Sequence, residues 1–175
     1  MILGKETILR AVEEKDLETL LHWRNIESFR VNFREFRELN ILEQKKWFEK
    51  TTSSPDDFMF SILDKKENLI GACGLLYIDW IIRSADFSFY IGKDESYVGG
   101  LHSEDAALSL INYGFGVLNL NKIWMELYEF DQEKINFFTK KFGFQEDGRL
   151  RQNCYSDGSY HDSLIISLLK KDFNG

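Results

Sequence analysis

The chain has 175 residues, 43% of them hydrophobic and 15% aromatic, which suits one domain with a sizeable core and excludes a disordered chain. A net charge of -7 argues against a general nucleic-acid binder, and no apolar run reaches the length of a membrane span. The opening MILGKETILR lacks the apolar stretch of a secretion signal, so the expectation is a cytoplasmic protein, one domain over residues 1–175, without membrane or nucleic-acid partners.

In chain order, Thr7–Val12 reads as a first strand and Glu13–Asn25 as a helix with Leu17, Leu20 and Leu21 on one face. Arg24, Arg30, Arg34 and Arg37 follow closely, with Phe29, Phe33 and Phe36 between them. Asn40 caps a second helix, and Glu43 stands where a capping box wants a carboxylate. Phe58–Leu63 and Leu69–Tyr77 read as a hairpin around Asp64–Asn68. A strand begins near Arg83 and is densest in aromatic and β-branched residues over Phe87–Ile91.

A loop, Gly92–His102, follows it and contains Gly99-Gly100; the next helix is expected to start at Ser103, with Glu104 and Asp105 in its first turn. Lys122–Tyr128 is the next strand, so the intervening helix implies a right-handed crossover and a parallel pair. Asp131 opens a helix that places Ile135, Phe138 and Phe142 inward and ends at Gly143. Two strands, Gln145–Tyr155 and Tyr160–Leu169, close the chain around Ser156–Ser159.

A loop that feeds a helix N-terminus presents backbone N–H groups with no partner inside the helix, and a diphosphate is the usual large anion for such a place. Cys73 and Cys154 have no metal or redox spacing. With His22, His102 and His161 scattered, no metal is predicted.

The element order and several short motifs resemble the GCN5-related N-acetyltransferases (GNATs), in particular their ribosomal-protein and small-molecule branch. Tyr97-Val-Gly-Gly-Leu-His-Ser-Glu-Asp-Ala106 is similar to that family's pyrophosphate loop, with Leu101 and Ser103 at two of its glycine places. Asn68-Leu-Ile-Gly71, Arg83-Ser-Ala-Asp-Phe87, Phe142-Gly-Phe144 and Gly158-Ser-Tyr-His-Asp162 resemble further family segments in the right order. The resemblance implies a mixed α/β (α+β) fold: a central, mostly antiparallel sheet with one splayed parallel pair and helices on both faces.

It also implies an enzyme that moves acetyl from acetyl-CoA to a primary amine, with the donor lying where Phe87–Ile91 and Lys122–Tyr128 part. Backbone groups of Phe89, Tyr90 and Ile91 would hold the pantetheine arm, and Gly99, Gly100, Leu101, His102 and Ser103 the diphosphate. Counting back from Gly143, Gln132 falls at a donor-binding asparagine place and Thr139 at the place of a tyrosine acid. Asp86 stands at the place of the base.

The acceptor side would be Trp23, Arg24, Asn25 and Arg34, with His161 from the last strand. A small-molecule acceptor (an amino-sugar nucleotide or a polyamine) and a protein N-terminus all remain open. Glu27, Glu35 and Glu38 are interleaved with the arginines, so surface ion pairing accounts for the same sequence. Proteins of this family often form dimers, so a homodimer belongs to the expectation. A non-catalytic binding protein of the same fold is the alternative, on account of Leu101, Ser103, Gln132 and Thr139.

Overall fold

The structure, a computed structural model, describes residues 1–173. Eight strands form one sheet in the order β1-β2-β3-β4-β5-β6-β8-β7. They are β1 (Ile2–Leu3), β2 (Thr7–Ala11), β3 (Phe58–Asp64), β4 (Leu69–Asp79), β5 (Ser84–Ile91), β6 (Lys122–Tyr128), β7 (Gln145–Ser156) and β8 (Ser159–Leu169). Every neighbouring pair is antiparallel except β5 and β6. The helices are α1 (Leu17–Asn25), α2 (Glu27–Arg30), α3 (Ile41–Ser53), α4 (Gly100–Asn112) and α5 (Gln132–Phe142).

The expected strands and the β-α-β crossover are present; β1 is an addition too short to carry a pattern. A 3-10 turn over Glu14–Asp16 precedes α1, because Asp16 is tied to Arg10, to the Ser61 hydroxyl and to the Glu13 backbone. The Asn40–Glu43 capping box is formed in full. The last hairpin turns at Asp157 and Gly158, both at positive φ (49° and 79°), the pairing that a two-residue type I′ turn requires.

The start of α4 departs from the sequence reading. The helix begins at Gly100, not at Ser103, because Gly99 (φ 105°) and Gly100 (φ 74°) adopt left-handed geometry and turn the chain into the helix early. Ser103 therefore lies within the first turn, fully buried, its hydroxyl without a partner. Asp105, expected to complement the helix start, instead accepts the backbone N–H groups of Lys5, Glu6 and Thr7 and the Thr7 hydroxyl. It pins the first strands to α4.

Alternation along the strands separates two layers. Leu75 and Phe87 stand opposite each other on one face, where the chain beyond α4 packs closely at Gly114 and α5 packs through Phe138. Ala72, Leu76, Asp86 and Tyr90 look to the other face, toward Leu20 of α1 and Trp47 of α3. Leu9, Ile62, Leu75, Leu110 and Ile123, each fully buried, hold the first layer together.

Candidate active site

The parallel pairing of β5 and β6 lasts three residues: Ser84 with Lys122, Ala85 with Ile123, Asp86 with Trp124. Beyond Asp86 the strands part, because β5 follows β4 as far as Ile91 while β6 follows β8 as far as Tyr128. The edge of Phe87–Tyr90 that faces β6 thus has no strand partner among the described residues. Buried backbone groups need partners, and an extended chain bearing amide groups would supply them.

At the far end of this gap the loop closes back on the strand. Tyr97 exchanges two backbone hydrogen bonds with Ile91 (2.8 and 2.9 Å), and its hydroxyl donates to Asp131 Oδ2 at 2.6 Å. Asp131 in turn caps α5 through the Lys134 N–H at 3.2 Å. Gly99 and Gly100 come next. A Cβ at either would meet nothing within 4 Å, so open space lies over the exposed start of α4. A diphosphate fits there by charge and by room.

A cleft of about 390 Å³ opens along the parted strands. Of the residues named from the sequence, Arg24, Arg34, Asp86, Phe89 and Tyr90 line it. The others stand apart from its wall. Trp23 is buried against Gly92, where a Cβ would come within 1.9 Å of the indole. Asn25 is committed to Leu39, accepting its N–H and donating to its carbonyl. Ile91 ends β5, and Gly99, Gly100, Leu101, His102 and Ser103 belong to the loop and the start of α4. Exposed Gln132 donates to the Glu129 carbonyl. The Thr139 hydroxyl donates to the Ile135 carbonyl of its own helix at 2.8 Å. His161 lies against Phe130, Glu129 and Ser159.

Asp86 is almost fully buried and pairs with Arg34. Burial pushes its carboxyl up against the pull of that guanidinium, and the Glu126 charge adds to the rise. Glu126 faces the same cleft from β6, held by the Ser163 hydroxyl and the Asn153 amide at 2.7 Å each. One carboxylate from each parted strand therefore meets at the point where pairing ends. Along the outer wall Arg37 sits between Glu35 (2.7 Å) and Glu43 (3.8 Å), and hydrogen bonding to Arg37 holds the Glu35 carboxyl down at about 2. Of the glutamates interleaved with the arginines, Glu35 pairs as read from the sequence, in the turns after α2 instead of along a helix face, and Glu43 of α3 joins it.

Two cations that line the cleft have no such partner among the described residues. The Arg24 guanidinium lies 4.1 Å above the Phe33 ring, and burial lowers its pKa. Lys134, 6% exposed, holds its ammonium 4.3 Å from the Tyr97 ring centre and 5.8 Å from that of Phe33. Sequence reasoning missed Lys134 and Glu126. The available signal for Lys134 was a lysine three and four residues before Phe137 and Phe138, on the buried stripe of α5.

Parted parallel strands, a glycine-opened helix start beyond them and a buried carboxylate at the fork define an enzyme that takes an extended, diphosphate-bearing acyl donor. Residues 9–165 match the model of the acetyltransferase (GNAT) domain, and the chain belongs to that family. It is an acyl-CoA-dependent N-acetyltransferase with acetyl-CoA as cosubstrate.

The chain is similar to the spermidine N(1)-acetyltransferase of Vibrio cholerae serotype O1, with 29% identity over 98% of this chain and 97% of that one. A putative ribosomal N-acetyltransferase of Bacillus subtilis, YdaF, is 31% identical over 62% of this chain and 57% of its own length. The crystal structure of the Vibrio cholerae spermidine N-acetyltransferase in complex with CoA and spermine superposes with a TM-score of 0.86. It has 25% identity and covers 95% of this chain and 97% of that one.

Proposed function

We propose that the acceptor is a polyamine and that the enzyme acetylates one of its primary amines. The observation that carries this reading is the meeting of Asp86 and Glu126 where β5 and β6 part, with Glu35 and Glu43 further along the same cleft. Four carboxylates lining one cleft suit an acceptor with several ammonium groups, and the Vibrio cholerae relative is named for spermidine.

In this reading the free edge at Phe89 and Tyr90 holds the donor's amide-bearing arm, and Ile91, whose backbone is taken by Tyr97, closes the end of that edge. Backbone N–H groups of Gly99, Gly100, Leu101, His102 and Ser103 hold its diphosphate. Bound acetyl-CoA supplies an acyl group already activated as a thioester. Asp86 takes the proton from the acceptor ammonium, directly or through a water, and the upward push of burial on its carboxyl makes it a better base than an exposed aspartate. Arg34 holds the carboxylate toward the cleft.

The reading extends to a cytoplasmic enzyme that assembles with copies of itself. The supports are the unpaired thiols of Cys73 and Cys154 and a Vibrio cholerae structure described as dodecameric, 26% identical with a TM-score of 0.78. Arg24, unpaired above Phe33, favours the second reading, an amine that carries an anionic group such as an amino-sugar nucleotide.

The test is an acceptor panel of spermidine, spermine, an amino-sugar nucleotide and a peptide with a free N-terminus, scored by thiol release and product mass. Acetylated spermidine is the expected product. Acetylation confined to the sugar nucleotide or to the peptide removes the polyamine reading.

A further inference from the structure

The departing sulfur of an acyl thioester leaves as a thiolate and needs a proton. Thr139, at the place where the family resemblance expects an acid, spends its hydroxyl on the Ile135 carbonyl and does not line the cleft. Of the tyrosines that do line it, Tyr77 stands exposed to solvent on β4, whereas burial pushes Tyr90 far above the ordinary phenol value, and Tyr128 is raised as well. Both are poorer acids than a free phenol.

Lys134 is different. Its helix packs on the Phe87 and Phe89 face of the sheet, yet its ammonium reaches Phe33, which lies against Tyr90 on the opposite face. The side chain therefore spans the gap between β5 and β6. Among the described residues no carboxylate pairs with the ammonium and no acceptor hydrogen-bonds it. We propose that Lys134 is the general acid of this enzyme and gives its Nζ proton to the departing sulfur.

The balance is simple. The new C–N bond forms as the C–S bond breaks, and the electron pair of the broken bond stays on sulfur. One N–H proton passes from Lys134 to that sulfur. The products are an amide, a free thiol and a neutral lysine, which regains a proton from solvent. The acceptor ammonium loses two protons on its way to the amide: Asp86 takes the first before attack and passes it to solvent, and the second, shed from nitrogen as the C–N bond forms, follows the same path, so no oxidant or further reactant is needed.

The surroundings match the role. Burial lowers the ammonium to about 8 from an ordinary 10.5, with Arg24 of α1 lowering it further, against Asp131, Glu133 of α5 and Asp86 of β5. Tyr97, whose ring the ammonium faces, is itself raised and stays neutral. A thiol has a pKa of about 8.5, so an ordinary lysine near 10.4 is mismatched to a thiolate by about two units, and this one is not. Near neutrality the group is still charged, so the acid is loaded.

The inference rests on the donor lying in the gap, not on the identity of the acceptor. Its first test therefore uses free CoA without any amine. Thiolate absorbance of bound CoA is titrated, with desulfo-CoA as the blank, for the wild type, Lys134→Met and Lys134→Arg. The wild type and Lys134→Arg should ionise the bound thiol at lower pH than free CoA, and Lys134→Met should not. Equal thiol titrations in the wild type and Lys134→Met overturn the proposal.

Turnover supplies the second test. Lys134→Met and Lys134→Arg should each lower kcat by about a hundredfold, and the fall of kcat as pH rises through about 8 should vanish in Lys134→Arg, which keeps the charge but cannot give up a proton. Full rescue by arginine reduces Lys134 to a positioning cation and also overturns the proposal. If bound thiol shifts as expected while spermidine is not acetylated, only the polyamine reading fails.

Discussion

The two ends of the cleft are made of different materials. The donor end is built from backbone: the unpaired edge of Phe87–Tyr90, the left-handed glycines at 99 and 100, and the open start of α4. Few side chains there touch the cleft, and those that matter, Tyr97 and Asp131, act by fixing where the backbone goes. The acceptor wall is built from charged side chains that neutralise one another: Arg34 with Asp86, and Arg37 with Glu35 and Glu43. A backbone cradle tolerates Leu101 and Ser103 at glycine places, because what it presents is N–H groups and room. A side-chain wall has no such tolerance, and one substitution there changes the charge a substrate meets.

The largest expected effect lies where the two ends meet. Asp86→Asn should lower kcat with spermidine by about a hundredfold or more, with the deficit greatest near neutral pH where the acceptor is protonated. Arg34 is half exposed and can find water, so the fold should survive. Turnover equal to wild type at neutral pH would remove Asp86 from the role of base. At the donor end, Gly99→Ala forces a side chain into a φ of 105° and costs about 1–3 kcal/mol of strain. Acetyl-CoA binding should weaken about tenfold, read by calorimetry, while Gly116→Ala, with nothing within 4 Å and ordinary φ, should bind as wild type.

Tyr97→Phe is milder, because the ring remains and only the hydrogen bond to Asp131 is lost. Stability should fall by about 2 kcal/mol in urea unfolding, with the KM for acetyl-CoA rising a few-fold and kcat little changed. A fall in kcat as large as that of Asp86→Asn would mean that the loop shapes the reacting end as well as the diphosphate end.

The same division explains what the sequence reveals. The fold is legible because periodicity, capping and turn chemistry agree at almost every step: the Asn40–Glu43 box, Gly143 after α5 and the Asp157-Gly158 turn all form as read. The parting of β5 and β6 is legible only as topology. Nothing in Phe87–Ile91 itself marks the residue at which pairing stops. The start of α4 misleads because Ser103 is a good cap by residue type, while the glycine φ values that override it are set by the loop as a whole. Lys134 escapes for a related reason. A lysine on a buried stripe looks like a surface residue slightly out of place, and only the gap that it spans gives it a function.

The smallest effect carries the sharpest sign. Arg37 neutralises Glu35 and Glu43, and it is well exposed, so each pair contributes little to stability. Arg37→Gln should leave the fold intact and free both carboxylates toward the cleft. A polyamine gains two counter-charges, so the KM for spermidine should fall about two- to fivefold, and less at high salt where exposed charges are screened. An anionic amine loses a cation and gains repulsion, so its KM should rise. The direction of that change separates a wall whose carboxylates are held in reserve for a cationic acceptor from one whose arginines face an anionic one. Kinetics on Arg37→Gln at two salt concentrations, with spermidine and an amino-sugar nucleotide in parallel, reads it directly. A rise in the KM for spermidine would leave Asp86 and Glu126 as the only part of the wall that recognises the acceptor.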